Sequence, residues 1–275
     1  MASEMKFILP NDIPLDVYPK PEVFIHEAQR LTEEAQKQGL VLRVMGAFAV
    51  RNYFPDYVDL YNSMKRLGDR VFTDIDFAAY GKHRSKLVAF FRSQGYEIDK
   101  DTVMYFGQDR HIYFSNNYLE RVPMIDVFFD KLDMNHCINY GGRLELDPYS
   151  VSMTDLLLQK LQIVHMNDKD FKDAILLLLA APLGEGEDRT ISLPYLAKLM
   201  ADDWGFYYTS TQNLEKIKAY TVKVPAINEE QAGIVSAKVE NICRHLENEK
   251  KSFKWNLRAR TGSKKMWYKE VSDWA

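Results

Sequence analysis

The chain has little in it that could staple, anchor or charge a protein. Only two of its 275 residues are cysteine, Cys137 and Cys243, far apart and in no CxxC pair. That excludes a disulfide scaffold and a thiolate zinc site, and it suits a reducing, cytoplasmic location. Long apolar runs are scarce too. The longest, Ala174 to Leu183, is about half of the ~20 residues a membrane helix requires, so it reads as a buried core helix. The apolar run in Met1 to Asp12 is too short for a signal peptide, and no membrane partner is expected. Net charge is only −3, so any binding to nucleic acid must be local. The six histidines show no HExxH spacing, and His83, His111 and His245 read as surface or structural. Gly81-Lys82 lacks the upstream glycine and the following Ser or Thr of a P-loop. Gly184-Glu185-Gly186 lacks a third glycine and follows no strand, so it is no dinucleotide fingerprint. An EF-hand starting at Asp74 fails at Ala79 and Ser85, where Gly and Glu are needed. There is no internal repeat. What is there is ordinary: 46% apolar and 27% charged residues, enough for one large domain or two small ones.

Periodicity divides the chain near residue 148. Residues 1–20 carry three prolines and read as an irregular arm. Pro21 to Gln38 has helical spacing and ends at Gly39. Leu40 to Met45 reads as a strand, and Gly46 opens a helical run that Pro55 stops. Residues 55–70 read as a surface connection. Phe72 to Tyr80 is a strand, Lys82 to Gln94 a helix, and residues 96–98, 103–106 and 111–114 three short strands. Val122 to Phe129 is a further strand, followed by a hairpin at Gly141-Gly142. Beyond Pro148 the pattern is helical: 152–164, then 169–181 capped by Asn167 or Asp168, then 192–203, 211–221 and 227–247. The expected fold class is α+β. A small mixed or antiparallel sheet with flanking helices spans 20–147, and an all-helical domain spans 148–275.

The stretch Arg70-Val71-Phe72-Thr73-Asp74-Ile75-Asp76-Phe77 carries the chemistry. Side chains repeat with period two along a strand, so Asp74 and Asp76 point the same way. Two like charges side by side are costly to bury unless a cation sits between them. A divalent ion such as Mg²⁺ takes oxygen from one or two carboxylates and from substrate phosphates. Asp126 adds a third strand-borne acid, which could bind a metal or act as general base on a hydroxyl. The strand–Gly46–helix turn offers backbone N–H groups at 46–48 to an anion. Strand-end Asp pairs often cap turns or face solvent, so each signal alone is weak. Carboxylates facing a phosphate cradle are what phosphoryl or nucleotidyl transfer requires.

Met45-Gly46-Ala47-Phe48-Ala49-Val50, the Arg70–Phe77 stretch and a helix ending in Gly95-Tyr96 together resemble the nucleotidyltransferase superfamily of polymerase-β-like fold. The aminoglycoside and lincosamide adenylyltransferases and the AbiEii-type toxin nucleotidyltransferases are the most similar branches. The resemblance implies a nucleotidyltransferase domain over 20–147. It implies metal at Asp74, Asp76 and Asp126, with Asp126 catalytic, and Mg²⁺ or Mn²⁺ as cofactor with an NTP, ATP among them, as co-substrate. It implies nucleotide contacts by Gly46, Ala47 and Arg70. Lys160 and Asp168-Lys169-Asp170 match the helical motif of the toxin branch, so Lys160 is a further nucleotide contact and an antitoxin-like partner protein is an expectation. Lys160 sits among leucines, and snorkelling of its amine to water is the alternative, though the toxin-branch resemblance favours a phosphate contact. The sequence departs from the pattern at Ala47, which offers no hydroxyl, and at Phe48.

Two classes of function follow. One is Mg²⁺-dependent transfer of a nucleoside monophosphate from an NTP to a hydroxyl of a tRNA, a small molecule or a protein side chain. The other is a catalytically degenerate nucleotide- or partner-binding module. The altered turn favours the second, and the complete acid trio favours the first. Residues 250–269 also hold eight lysines and arginines among Phe253, Trp255, Trp267 and Tyr268. That mixture suits an RNA backbone and stacked bases, or else a solvated tail.

Overall fold

The central strands form because they are rich in β-branched and aromatic residues, with one fully apolar face and one acid, Asp76 or Asp126, on the other. The computed structural model describes residues 8–68, 70–115, 117 and 121–271. Helices α1 (Pro21–Lys37), α2 (Gly46–Tyr53), α3 (Val58–Ser63), α4 (Arg84–Ser93) and α5 (Lys100–Phe106) alternate with strands β1 (Leu42–Val44), β2 (Ile75–Ala79), β3 (Glu97–Ile98), β4 (Arg110–Phe114) and β5 (Met124–Phe129). Next come the paired strands β6 (Lys131–Asp133) and β7 (Cys137–Asn139), then α6 (Met153–Leu161) and α7 (Asp168–Ala180). The chain ends with β8 (Leu183–Gly184), β9 (Ile191–Ser192), α8 (Leu193–Asp202), α9 (Trp204–Thr221), α10 (Glu229–Asn248) and α11 (Phe253–Thr261). The protein is α+β.

Two units divide these elements. The first holds residues 1–49, 67–131 and 139–151, and the second holds 50–66, 132–138 and 152–275. In the first, a five-stranded sheet runs in the order β1-β2-β5-β4-β3, with β2 and β5 parallel and the other pairs antiparallel. One face carries Ile75, Phe77, Tyr113, Ile125 and Val127, all fully buried. Helix α4 covers it through Phe91, whose ring lies 4.3 Å from Tyr113 and 6.5 Å from Phe77. The opposite face carries Asp76 and Asp126. In the second unit α7 packs on α6, α9 and α10. Ala174 to Leu179 are all buried, as an apolar helix inside a bundle must be.

Several local readings differ from the sequence expectation. Residues 103–106 are helical, because the Asp99 carboxylate accepts the Thr102 N–H at 3.0 Å and caps α5. Residues 55–70 are more than a surface connection: α3 lies there, with Tyr61 and Met64 buried in the second unit. The hairpin pairs β6 with β7, and Gly142, at φ +69°, falls in a turn after it. α9 begins at Trp204, seven residues early, under an Asp203 cap, and α11 orders part of the basic-aromatic tail behind Ser252. The Asn167 cap forms as a full capping box.

An aromatic cluster holds the first unit's critical loop in place. Phe48 stacks on Phe72 with ring centres 3.8 Å apart, and Phe24 lies 6.0 Å and 5.9 Å from the two. Truncating Phe48 to Ala is expected to cost ~3–5 kcal/mol, because the cavity lies in packed core. Urea unfolding followed by circular dichroism measures it, and a loss under 1 kcal/mol would contradict this packing.

Candidate active site

The acidic face of the first unit's sheet is built by register. On the parallel pair, Asp76 stands directly opposite Asp126. Register partners project from one face, so these two carboxylates are neighbours. On antiparallel β4, Ile112 is the partner of Asp126, and Arg110, two residues earlier, shares its face. Arg110 uses that diagonal. Its Nε donates to both Asp126 oxygens, at 2.9 and 2.8 Å, and Nη2 donates to Oδ2. β2 starts at Ile75, so Asp74 lies just outside the strand, with its carboxylate accepting the Thr73 hydroxyl at 3.0 Å.

Electrostatics join the three acids. Burial pushes the Asp126 carboxyl above its ordinary pKa; Arg110 pulls it back, and the charge of Asp74 raises it further. Burial works against the Arg110 charge, but Asp126, Asp76 and Asp74 together hold its pKa above the usual arginine value. Tyr18 is pushed up to about 12, chiefly by burial, with Arg70 lowering it and Asp74 raising it. Asp74, Asp76, Asp126, Arg110, Arg70 and Tyr18 therefore share one electrostatic neighbourhood.

The turn predicted to face an anion abuts this cluster. Gly46 has φ +65°, and a Cβ there would come 2.9 Å from Asp76 Oδ2. Only glycine allows that conformation and that approach at once. Met45 N–H donates to the Asp76 carbonyl at 2.9 Å, fixing the start of α2 to β2. Ala47 follows on the first turn of α2, and Phe48 turns inward onto Phe72.

Arg70 is held by the N-terminal arm. Its Nη2 donates to the Ile13 carbonyl at 2.9 Å, and its guanidinium lies 5.0 Å from the Tyr18 ring centre. Its Nε is buried without a hydrogen-bond partner. Such an atom is costly to leave unmade and marks a place where an acceptor would be stabilised.

Lys160 lies in the second unit, 8% exposed, so its amine does not snorkel to water. It pairs with Asp173 at 2.8 Å and Asp170 at 3.2 Å. Asp173 also accepts two bonds from Arg66, at 2.7 and 2.9 Å, and one from the Tyr61 hydroxyl at 3.1 Å. Sequence reading missed Arg66, Tyr61, Arg110 and Tyr18. Arg110 lies sixteen residues from Asp126, and only strand pairing brings them together.

Asp74 and Asp76 are oxygen donors, with the glycine turn directly against Asp76, and Arg70, whose Nε is buried and unpartnered, acts with Asp74 on the same Tyr18. That donor set suits a hard cation such as Mg²⁺ completed by phosphate and water. Asp126 does not fit as a third ligand while Arg110 binds both its oxygens. Among the described residues no group of three His, Cys, Asp or Glu is arranged to hold a metal ion.

No family model matches the chain, and no curated protein matches it. Among solved structures it is similar to the antibiotic-resistance factor ANT(2'')-Ia, at 12% identity and a TM-score of 0.40, over 66% of this chain and 96% of that one. It is also similar to an antigenic nucleotidyltransferase-like protein from Paracoccidioides brasiliensis, at 12% identity and a TM-score of 0.37, over 84% of this chain and 95% of that one. At these scores the likeness carries no argument, and the functional reading rests on the residues.

The buried network of the second unit predicts an acid transition. Although burial raises the Asp173 pKa, Lys160 and Arg66 outweigh it and bring the carboxyl down to about 2. A depressed carboxyl stabilises the fold above its ordinary pKa and loses that contribution as pH falls. The loss is expected between about pH 4 and pH 2 and amounts to about 2 kcal/mol. Asp173→Ala should cost ~3–5 kcal/mol at neutral pH, since it strands two buried cations. Denaturant melts of both proteins across that range check this: the variant's acid slope should be shallower than the parent's.

Proposed function

We propose that the first unit is the active site of a Mg²⁺-dependent nucleotidyltransferase that moves a nucleoside monophosphate from an NTP to a hydroxyl. One observation carries the reading: Asp76 and Asp126 are register partners on adjacent parallel strands, with the Gly46 helix start against Asp76. In this reading Asp74 and Asp76 hold the ion, which neutralises phosphate charge and orients the NTP. The N–H groups after Gly46 and the Nε of Arg70 take phosphate oxygens. Asp126 fixes Arg110, whose positive charge faces the same side as the acids. The acceptor oxygen forms a bond to the α-phosphorus, the bond to pyrophosphate breaks, and the hydroxyl proton passes to a carboxylate or to water.

A second reading is a nucleotide-binding module that no longer transfers. It is favoured by the Arg110–Asp126 pair, which occupies the acid nearest to a general-base role, and by Phe48, a core residue where the family's turn carries another type.

Incubation with each labelled NTP, Mg²⁺ and either total RNA or a panel of hydroxyl-bearing small molecules separates the two. Transfer should appear with at least one acceptor, and Asp74→Ala or Asp76→Ala should lower it on the order of 10²–10³-fold. Calorimetric NTP binding without labelled product would select the module. No binding of any of the four nucleotides would remove both.

A further inference from the structure

The basic-aromatic segment is an ordered part of the second unit. Residues 250–269 contain eight lysines and arginines and no acid, in a chain whose net charge is −3. Helix α11 and the strap after it close one side of a pocket of about 450 Å³, and the end of α8 with the start of α9 closes the other. Trp204 forms one wall. Its ring is clamped between Tyr208, stacked at 4.9 Å, and the Arg258 guanidinium at 4.8 Å. Arg258 also donates to the carbonyls of Gly262 and Lys265, both at 2.8 Å, and so pins the strap. Trp267 on that strap donates its indole N–H to Thr209 at 3.0 Å and packs edge-on to Tyr208 at 5.1 Å. Gly205 leaves no room for a Cβ against the Trp267 carbonyl. The aromatic walls are thus fixed before any ligand arrives, which lowers the entropic cost of binding.

The outer face of α11 pairs this pocket with exposed apolar residues. Phe253 is 82% exposed and Leu257, four residues on and hence on the same face, is 55% exposed. Exposed Lys254 lies between them, in a loose, exposed pair with Asp202 at 3.9 Å, and Lys265 also lines the pocket, whose other wall carries Asp202 and Asp203. Along the outer face of α11 and the strap, apolar surface alternates with eight positive charges against the two acids of the far wall, and that excess suits a flexible polyanion that carries flat apolar groups. A duplex hides its base faces, whereas an unpaired strand offers both base faces and phosphates.

We propose that this pocket and the face of α11 beside it bind single-stranded nucleic acid, with bases against Phe253, Leu257 and Trp267 and phosphates on Lys254 and Lys265. Binding needs neither NTP nor a divalent ion, so it stands or falls apart from the first unit's chemistry.

The experiment is fluorescence anisotropy of the full chain, in EDTA and without NTP, with labelled single strands of about 12 nucleotides, a length within the usual site sizes. Oligo-U and oligo-dT serve as probes. Both or either should bind, with log K falling against log salt at about −0.7 per phosphate contact. Lys254→Glu with Lys265→Glu should weaken binding at least ~tenfold and flatten that slope. Phe253→Ala with Leu257→Ala should weaken binding by a similar factor and leave the slope unchanged, because stacking is salt-insensitive by comparison. All four positions are exposed, and far-UV circular dichroism confirms the fold. No binding at low salt would overturn the proposal. So would equal affinity for a blunt duplex, for polyglutamate or for anionic vesicles, or an apolar double variant that binds like the parent.

Discussion

Like charge crowded onto one face of a small sheet is the constraint that organises the first unit. Strand register leaves Asp76 and Asp126 side by side, and Asp74 enters the same field from the loop. Uncompensated carboxylates at such spacing would not persist in a partly buried site. Arg110 supplies compensation from the next strand, Gly46 brings a helix start against Asp76, and Arg70 sits on Tyr18, whose hydroxyl also feels the charge of Asp74.

Two buried carboxylates in this chain have opposite fates. Asp173 is surrounded by Arg66, Lys160 and Tyr61, and its pKa ends at about 2 despite burial. Asp126 has one guanidinium and two acidic neighbours, and its pKa ends above the ordinary value. The first site is saturated with positive charge; the second is short of it. Shortage at a carboxylate cluster beside a helix N-terminus is a property of sites that accept cations or cationic complexes, while saturation is a property of structural ion networks. That difference matches the proposal that the sheet face carries the chemistry, while the Asp173 network serves the stability of the helical unit.

Much of this was legible in the sequence, for identifiable reasons. The apolar run around Asp126 marked a strand, and the one around Asp76 marked another, although Asp74 falls just before that strand begins. Asn167 was one of two N-cap candidates before α7, and Gly39 announced a helix end at φ +68°. Other features depended on pairings the linear order does not display. Arg110 meets Asp126 only through antiparallel register, and Tyr61 and Arg66 meet Asp173 across more than a hundred residues. Residues 103–106 look like a strand by type, and one capping carboxylate at Asp99 overrides that preference. Phe48 looks like a defect in a phosphate turn until its ring is seen stacked on Phe72, where it steadies the loop that carries Asp74.

The division of the chain into two non-contiguous units also bears on how the protein emerges from the ribosome. The last residue of the first unit is Val151, so its whole complement is available once Val151 has been made. The second unit has members at 50–66 and 132–138, released long before the helices they pack with. Tyr61 and Arg66 precede Asp173 by 112 and 107 positions. At ~5–20 residues per second, these two side chains wait on the order of 5–20 seconds for their carboxylate. During that interval Tyr61 and Met64 are apolar surface without their eventual cover, a window in which a nascent-chain chaperone has something to hold.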